Sequence, residues 1–128
     1  MLADIDAHPT LAVRSLAKAR PFYGDVLGLK PVGAAMGSVQ NYQAGRSVLV
    51  VYESEFAGTN RATGVTWPLG AAFDQTVADL KARGARFEHY DIPGLDREGD
   101  IHLAGEMRLA WITDPDGNII HLGSFGGA

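Results

Sequence analysis

Cysteine is absent from the 128 residues, which excludes disulfides, thiolate nucleophiles and thiolate metal sites, and says nothing about redox compartment. Lys and Arg nowhere form a run, and with a formal net charge of −4 the balance speaks against a nucleic-acid or anionic-membrane surface. No apolar stretch approaches spanning length, and the opening Met1-Leu-Ala-Asp-Ile-Asp has no basic region followed by an apolar run. A soluble, cytoplasmic protein without nucleic-acid or membrane partners is the expectation. No serine sits on a sharp Gly-flanked elbow, so Ser/His/Asp catalysis has no supporting motif. The length suits one compact domain that buries roughly two thirds of its unfolded surface. Its 16 glycines and 6 prolines are spread among apolar runs, as suits a chain of many turns.

The clearest local signal is Leu109-Ala-Trp-Ile-Thr-Asp-Pro-Asp-Gly-Asn-Ile-Ile-His-Leu122. Pro115 presets φ for a turn and Gly117 accepts a positive φ, so the two apolar flanks are predicted to pair as a β-hairpin. Alternation then puts Ile119 and His121 on one face, Ile120 and Leu122 on the other. Upstream, His8–Val13 is a predicted strand. A helix capped by Ser15 follows to about Leu27, kinked or started late at Pro21 and stopped by Gly28. Leu29–Val32, Val39–Tyr42 and Val48–Tyr52 are three further strands, and Ser54–Gly64 is a linker. Then come a strand at Val65–Leu69, a helix capped by Asp74 and stopped by Gly84, a strand at Arg86–Tyr90, a Gly- and Pro-containing loop, and the closing hairpin. Helix end, glycine and new strand recur at Val26–Val32 and Leu80–Phe87. The chain therefore reads as one α+β domain over residues 1–128, built of two tandem β-α-β-β-β modules at about 8–53 and 63–124 that form a curved mixed sheet around a cleft.

His8-Pro-Thr-Leu-Ala-Val-Arg-Ser-Leu-Ala-Lys-Ala-Arg-Pro-Phe-Tyr-Gly-Asp-Val-Leu-Gly-Leu, with Asp114-Pro-Asp-Gly-Asn-Ile-Ile-His-Leu122, resembles the vicinal oxygen chelate superfamily. That superfamily includes glyoxalase I, extradiol dioxygenases, fosfomycin-resistance enzymes and bleomycin-binding proteins, and the resemblance covers nearly the whole chain. It implies a small organic ligand, a homodimer and, in metal-dependent members, ligands from the first strand, a late strand of the first module, the first strand of the second module and the last strand. His8 falls on the first of these positions and His121 on the last. Val65 aligns with a ligand histidine, and the strand ending at Tyr52 shows no carboxylate before Glu53. Two imidazoles make a poor divalent site, because catalytic zinc takes three protein ligands and non-haem iron two histidines plus a carboxylate. Glu53, Glu55, Glu106 and His102 are the groups available to complete a displaced site.

Each candidate also has an ordinary structural reading. His8 fits a ligand, a cleft hydrogen bonder or a frayed strand start, and His121 fits a satisfied, half-buried histidine. His102 and Glu106 read as rim residues, and His89, sharing a face with Phe87, as core or interface. Tyr42, Tyr52, Trp67 and Trp111, together with His102, are the candidate ligand-binding residues of a mostly apolar groove for a planar or aromatic molecule. Asn41 and Gln43 alternate with Tyr42, so either the amides or the tyrosine point inward. Three functions follow: a metal-free small-molecule binder, a metal-dependent lyase or dioxygenase in which His8 and His121 hold one divalent ion, and a metal-free enzyme with a histidine base.

Overall fold

The computed structural model describes residues 1–126, and its strands fall into two separate mixed sheets with no closed barrel. Two compact units divide them. One comprises Met1–Arg61 with Pro115–Asn118, the other Ala62–Asp114 with the residues from Ile119 onward.

In the first unit, β1 (Thr10–Val13), α1 (Leu16–Arg20), β2 (Lys30–Pro31), β3 (Val39–Ala44) and β4 (Ser47–Glu53) follow in sequence, and the sheet order is β1-β4-β3-β2. β1 runs parallel to β4, and the other pairs are antiparallel. Ser15 caps α1 as predicted, its hydroxyl accepting the Lys18 N–H at 3.2 Å. At Pro21 the α-helix passes into another helical form. Without an N–H, Pro21 removes one rung of the ladder, and the helix continues in π form over Pro21–Val26, with the Leu27 N–H reaching the Phe22 carbonyl at 2.9 Å. This segment buries Phe22 and Tyr23, and Tyr23 meets Tyr42 at 5.8 Å between ring centres. Leu11, Val13, Leu49 and Val51 complete that core. The amide-or-tyrosine alternative on β3 is thereby decided: Tyr42 faces the core and Asn41 and Gln43 the other side.

In the second unit, β5 (Thr63–Pro68), α2 (Phe73–Ala82), β6 (Arg86–Glu88), β7 (Asp96–Glu98), β8 (Ile101–Ala104), β9 (Met107–Thr113) and β10 (Ile119–Gly123) follow in sequence. β5 is parallel to β10, which is antiparallel to β9, and the far edge of β9 pairs with β8 at its start and β6 at its end. The connectivity of the first unit thus recurs: first strand parallel to last, then an antiparallel neighbour, then the strand after the helix. β7 and β8 are an addition to it, inside the segment expected to be loop. α2 covers one face of this sheet, since Arg108 lies 5.5 Å from the Phe73 ring and Lys81 5.6 Å from Phe87. Phe73, Val77, Leu80, Ala110, Ile112, Ile120 and Leu122 are buried there. Asp74 is not the helix cap. Ala72 holds that position, and the Asp74 carboxylate accepts the Arg108 Nε–H at 2.9 Å. Among the described residues no helix is long and apolar enough to cross a membrane.

Candidate functional site

Strand alternation places His121, Trp111, Leu109 and His102 on the face of the second sheet opposite α2. Across β5, β10, β9 and β6 the register sets Thr66, His121, Trp111 and Glu88 side by side. The neighbour of His121 on β5 is therefore Thr66, while Val65 pairs with Ile120 on the α2 side. A bulge between Ile119 and Ile120 causes the difference, because one extra residue on β5 exchanges the faces of all that follow. Trp67 pairs with Leu122 and so lies on the α2 face, half-buried.

Trp111 is the centre of a ring cluster. His121 stacks on it at 4.6 Å and 17°, while His102 at 4.8 Å and Tyr90 at 5.3 Å meet it edge to face. Phe125 lies 5.8 Å from His121. His102 is not a rim residue. It is 0 % exposed, and its Nε2 accepts the Tyr90 N–H at 2.9 Å, so the neutral ring carries its proton on Nδ1. Nδ1 is buried beside the Leu109 backbone without a hydrogen bond of ordinary geometry, and Nε2 of His121 is also buried and unpaired. Burial lowers the pKa of both imidazoles, and His102 lowers that of His121 further. Both rings are accordingly neutral at pH 7. Burial, reinforced by Glu88, raises the Tyr90 phenol.

His8, Tyr42, Tyr52 and Glu53 belong to the first unit, and Glu106 and His89 to other parts of the second. His8 is exposed ahead of β1, its carbonyl accepting the Thr10 hydroxyl at 3.1 Å. Tyr42 is 2 % exposed in the core of the first unit, and Tyr52 is 36 % exposed on that sheet's other face. Glu53 is engaged by α1, accepting the Leu16 N–H at 3.1 Å, where a carboxylate opposes the positive end of the helix. Glu53→Gln is therefore expected to cost about 0.5–1 kcal/mol in urea unfolding; an unchanged midpoint would show that this contact is not a cap. Glu106 is exposed in the β8–β9 turn. His89 is not a core residue but is exposed, in a surface network. Its Nε2 lies 2.7 Å from Asp100, which also pairs with Lys81 at 2.7 Å, and Arg97 reaches its Nδ1 at 3.2 Å. Lys81 and then His89 hold the Asp100 carboxyl below its usual range.

A divalent ion needs several converging donors, and this face carries the imidazoles of His121 and His102, the Thr66 hydroxyl and, two strands from His121, the Glu88 carboxylate, while the Trp111 indole has no lone pair to offer. Among the described residues no group of three or more His, Asp or Glu side chains is placed to hold a metal. The donor set does not fit one.

Two units of shared β-α-β-β-β connectivity, each with a mixed sheet, define the fold as a tandem-module α+β protein. The chain belongs to the Glyoxalase/Bleomycin resistance protein/Dioxygenase superfamily, whose family model matches residues 7–122. Among solved structures it is similar to the lactoylglutathione lyase of Agrobacterium tumefaciens, with a TM-score of 0.66, 21 % identity and coverage of 92 % of this chain and 91 % of that one. The fosfomycin resistance protein FosX of Listeria monocytogenes matches with a TM-score of 0.69 and 16 % identity over 95 % and 93 % of the two chains. A mutant of that protein, solved with Mn(II) and 1S,2S-dihydroxypropylphosphonic acid, gives 0.68 and 15 % over 94 % and 90 %. At these identities the likeness is one of fold. No curated protein sequence matches the chain significantly.

Proposed function

We propose that this protein binds a small, flat organic molecule on the aromatic face around Trp111 and His121, without a resident catalytic metal. The observation that carries the reading is the pairing of His121 with Thr66, which leaves the imidazole next to a hydroxyl where a metal-dependent relative needs a strong ligand. Stacked rings give a planar molecule area and orientation at little entropic cost, and the unpaired Nε2 supplies one directional contact. A homodimer is part of the same reading. Half-exposed Val39, Val48 and Val50 with exposed Tyr52 form an apolar strip on the first sheet that a second copy would cover.

The metal question is tested by incubating tag-free protein with nickel, zinc, manganese and ferrous iron, then gel filtration and elemental mass spectrometry. Far less than one ion per chain is expected. Near-stoichiometric metal that disappears in both His8→Ala and His121→Ala overturns the reading in favour of a lyase or dioxygenase. Ligand binding is followed in Trp67→Phe, where Trp111 is the remaining indole. A second reading, His121 as a general base, is supported by its buried, neutral ring. For any substrate found, a pH–rate profile flat between pH 5 and 8 would rule that role out.

A further inference from the structure

Gly123 follows His121 by two residues on β10 and shares its face. A Cβ at Gly123 would collide with ring carbons of Phe125, so glycine here leaves the space into which that ring folds. The backbone fixes the fold-back. The Leu69 N–H donates to the Gly123 carbonyl at 2.8 Å, the Gly70 N–H to the Phe125 carbonyl at 3.1 Å and the Ser124 N–H to the Arg108 carbonyl at 2.9 Å, while the Ser124 hydroxyl accepts the Arg108 N–H at 2.9 Å. His121 is thus flanked by Trp111 across the strands and by Phe125 along its own strand, and its Nε2 is buried with no partner.

An apolar ring over a glycine, its centre 5.8 Å from that of an imidazole whose Nε2 is unpaired, occupies a place that another aromatic ring would fit. We propose that Phe125 gates the His121 site, holding the place that the ring of a flat, uncharged aromatic ligand takes when Phe125 swings aside, with a hydrogen-bonding substituent of that ligand on His121 Nε2. The ligand is uncharged because Trp111 and Phe125 offer a charge no compensation for lost water. Its polar group both donates and accepts, as an amide or hydroxyl does, and so suits either tautomer of His121. This rests on the binding reading above, but access to His121 is measured without any natural ligand and independently of metal content.

The test uses diethyl pyrocarbonate, which acylates neutral, accessible imidazole nitrogens, with modification followed at each histidine by peptide mass spectrometry. Exposed His8 is the internal reference and fully buried His102 the indicator of an intact sheet. Phe125→Ala is expected to speed acylation of His121 about tenfold while His102 stays protected. Benzamide, but not toluene, is then expected to restore protection in that variant. An unchanged rate at His121 overturns the gate, and equal protection by the two probes overturns the hydrogen-bonding ligand. If His102 reacts as well, the sheet has loosened, and Phe125→Leu decides. A His121 rate between those of the parent and the Ala variant, with His102 protected, supports the gate, and a rate equal to the parent's overturns it.

Discussion

Lowering the pH from 7 to 5 is expected to destabilise the protein, and His102→Phe is expected to flatten that dependence while costing about 1–3 kcal/mol at pH 7. The first effect follows from protons. Burial, assisted by nearby His89 and Arg97, lowers the folded-state pKa of His102 below its ordinary value of 6.5. Below pH 6.5 the unfolded chain therefore binds a proton that the folded chain resists. Stability is complete above that pH and falls as the pH drops towards the folded-state value, by at most about 1.4 kcal/mol per pH unit for one group. The second effect follows from the hydrogen bond. Phe fills much of the ring's volume but leaves the Tyr90 N–H, now held at 2.9 Å by Nε2, without an acceptor in a buried place. Urea unfolding at pH 7, 6 and 5 separates the two. A variant as pH-dependent as the parent would show that His102 does not carry the linkage, and His121, depressed mainly by its own burial, would be next.

Gly58→Ala is expected to cost about 2–4 kcal/mol, far more than a glycine substitution elsewhere in the same unit. Gly58 has φ +76° and an added Cβ would run into the main-chain carbonyl of Asp116, which cannot turn away as a side chain can. Gly45, at φ +59° with open space around it, provides the comparison. Ala there pays for the left-handed backbone alone, about 1 kcal/mol. If the two variants unfold at the same urea concentration, the approach of Gly58 to Asp116 is not rigid. The contact matters because the Asp-Pro-Asp-Gly-Asn turn is anchored in the first unit at several points. Asp116 accepts the Arg14 N–H at 3.2 Å, and the Asn118 amide donates to the Ala12 carbonyl at 2.7 Å.

Much of this was legible along the chain. The hairpin, its five-residue turn and the opposite facing of His121 and Leu122 came from alternation and from Pro115 and Gly117, which act over a few residues. The Ser15 cap and the stops at Gly28 and Gly84 were local in the same sense, and the repeated helix–glycine–strand passage gave the tandem architecture. Less was legible of the candidate site. His102 looked like a rim residue because Gly99 and Gly105 surround it, yet short strands β7 and β8 carry it under Tyr90 and Trp111. The polarity of Asp96–Glu98 gave no period to read. Phe125 carried no signal beyond an aromatic between small residues, and only the collision implied at Gly123 marks its ring as part of the His121 surroundings.

The sequence by itself determined the family, the two-module α+β fold and the facing of each hairpin residue, because these depend on turn chemistry and on a period of two or 3.6 within one segment. Tertiary structure decided which residue of β5 stands beside His121, that His102 is buried, that Glu53 serves α1 and that Tyr42 belongs to the core. Those outcomes depend on pairing between segments far apart in the chain. There, one bulged residue exchanges two faces and one buried hydrogen bond outweighs local preference.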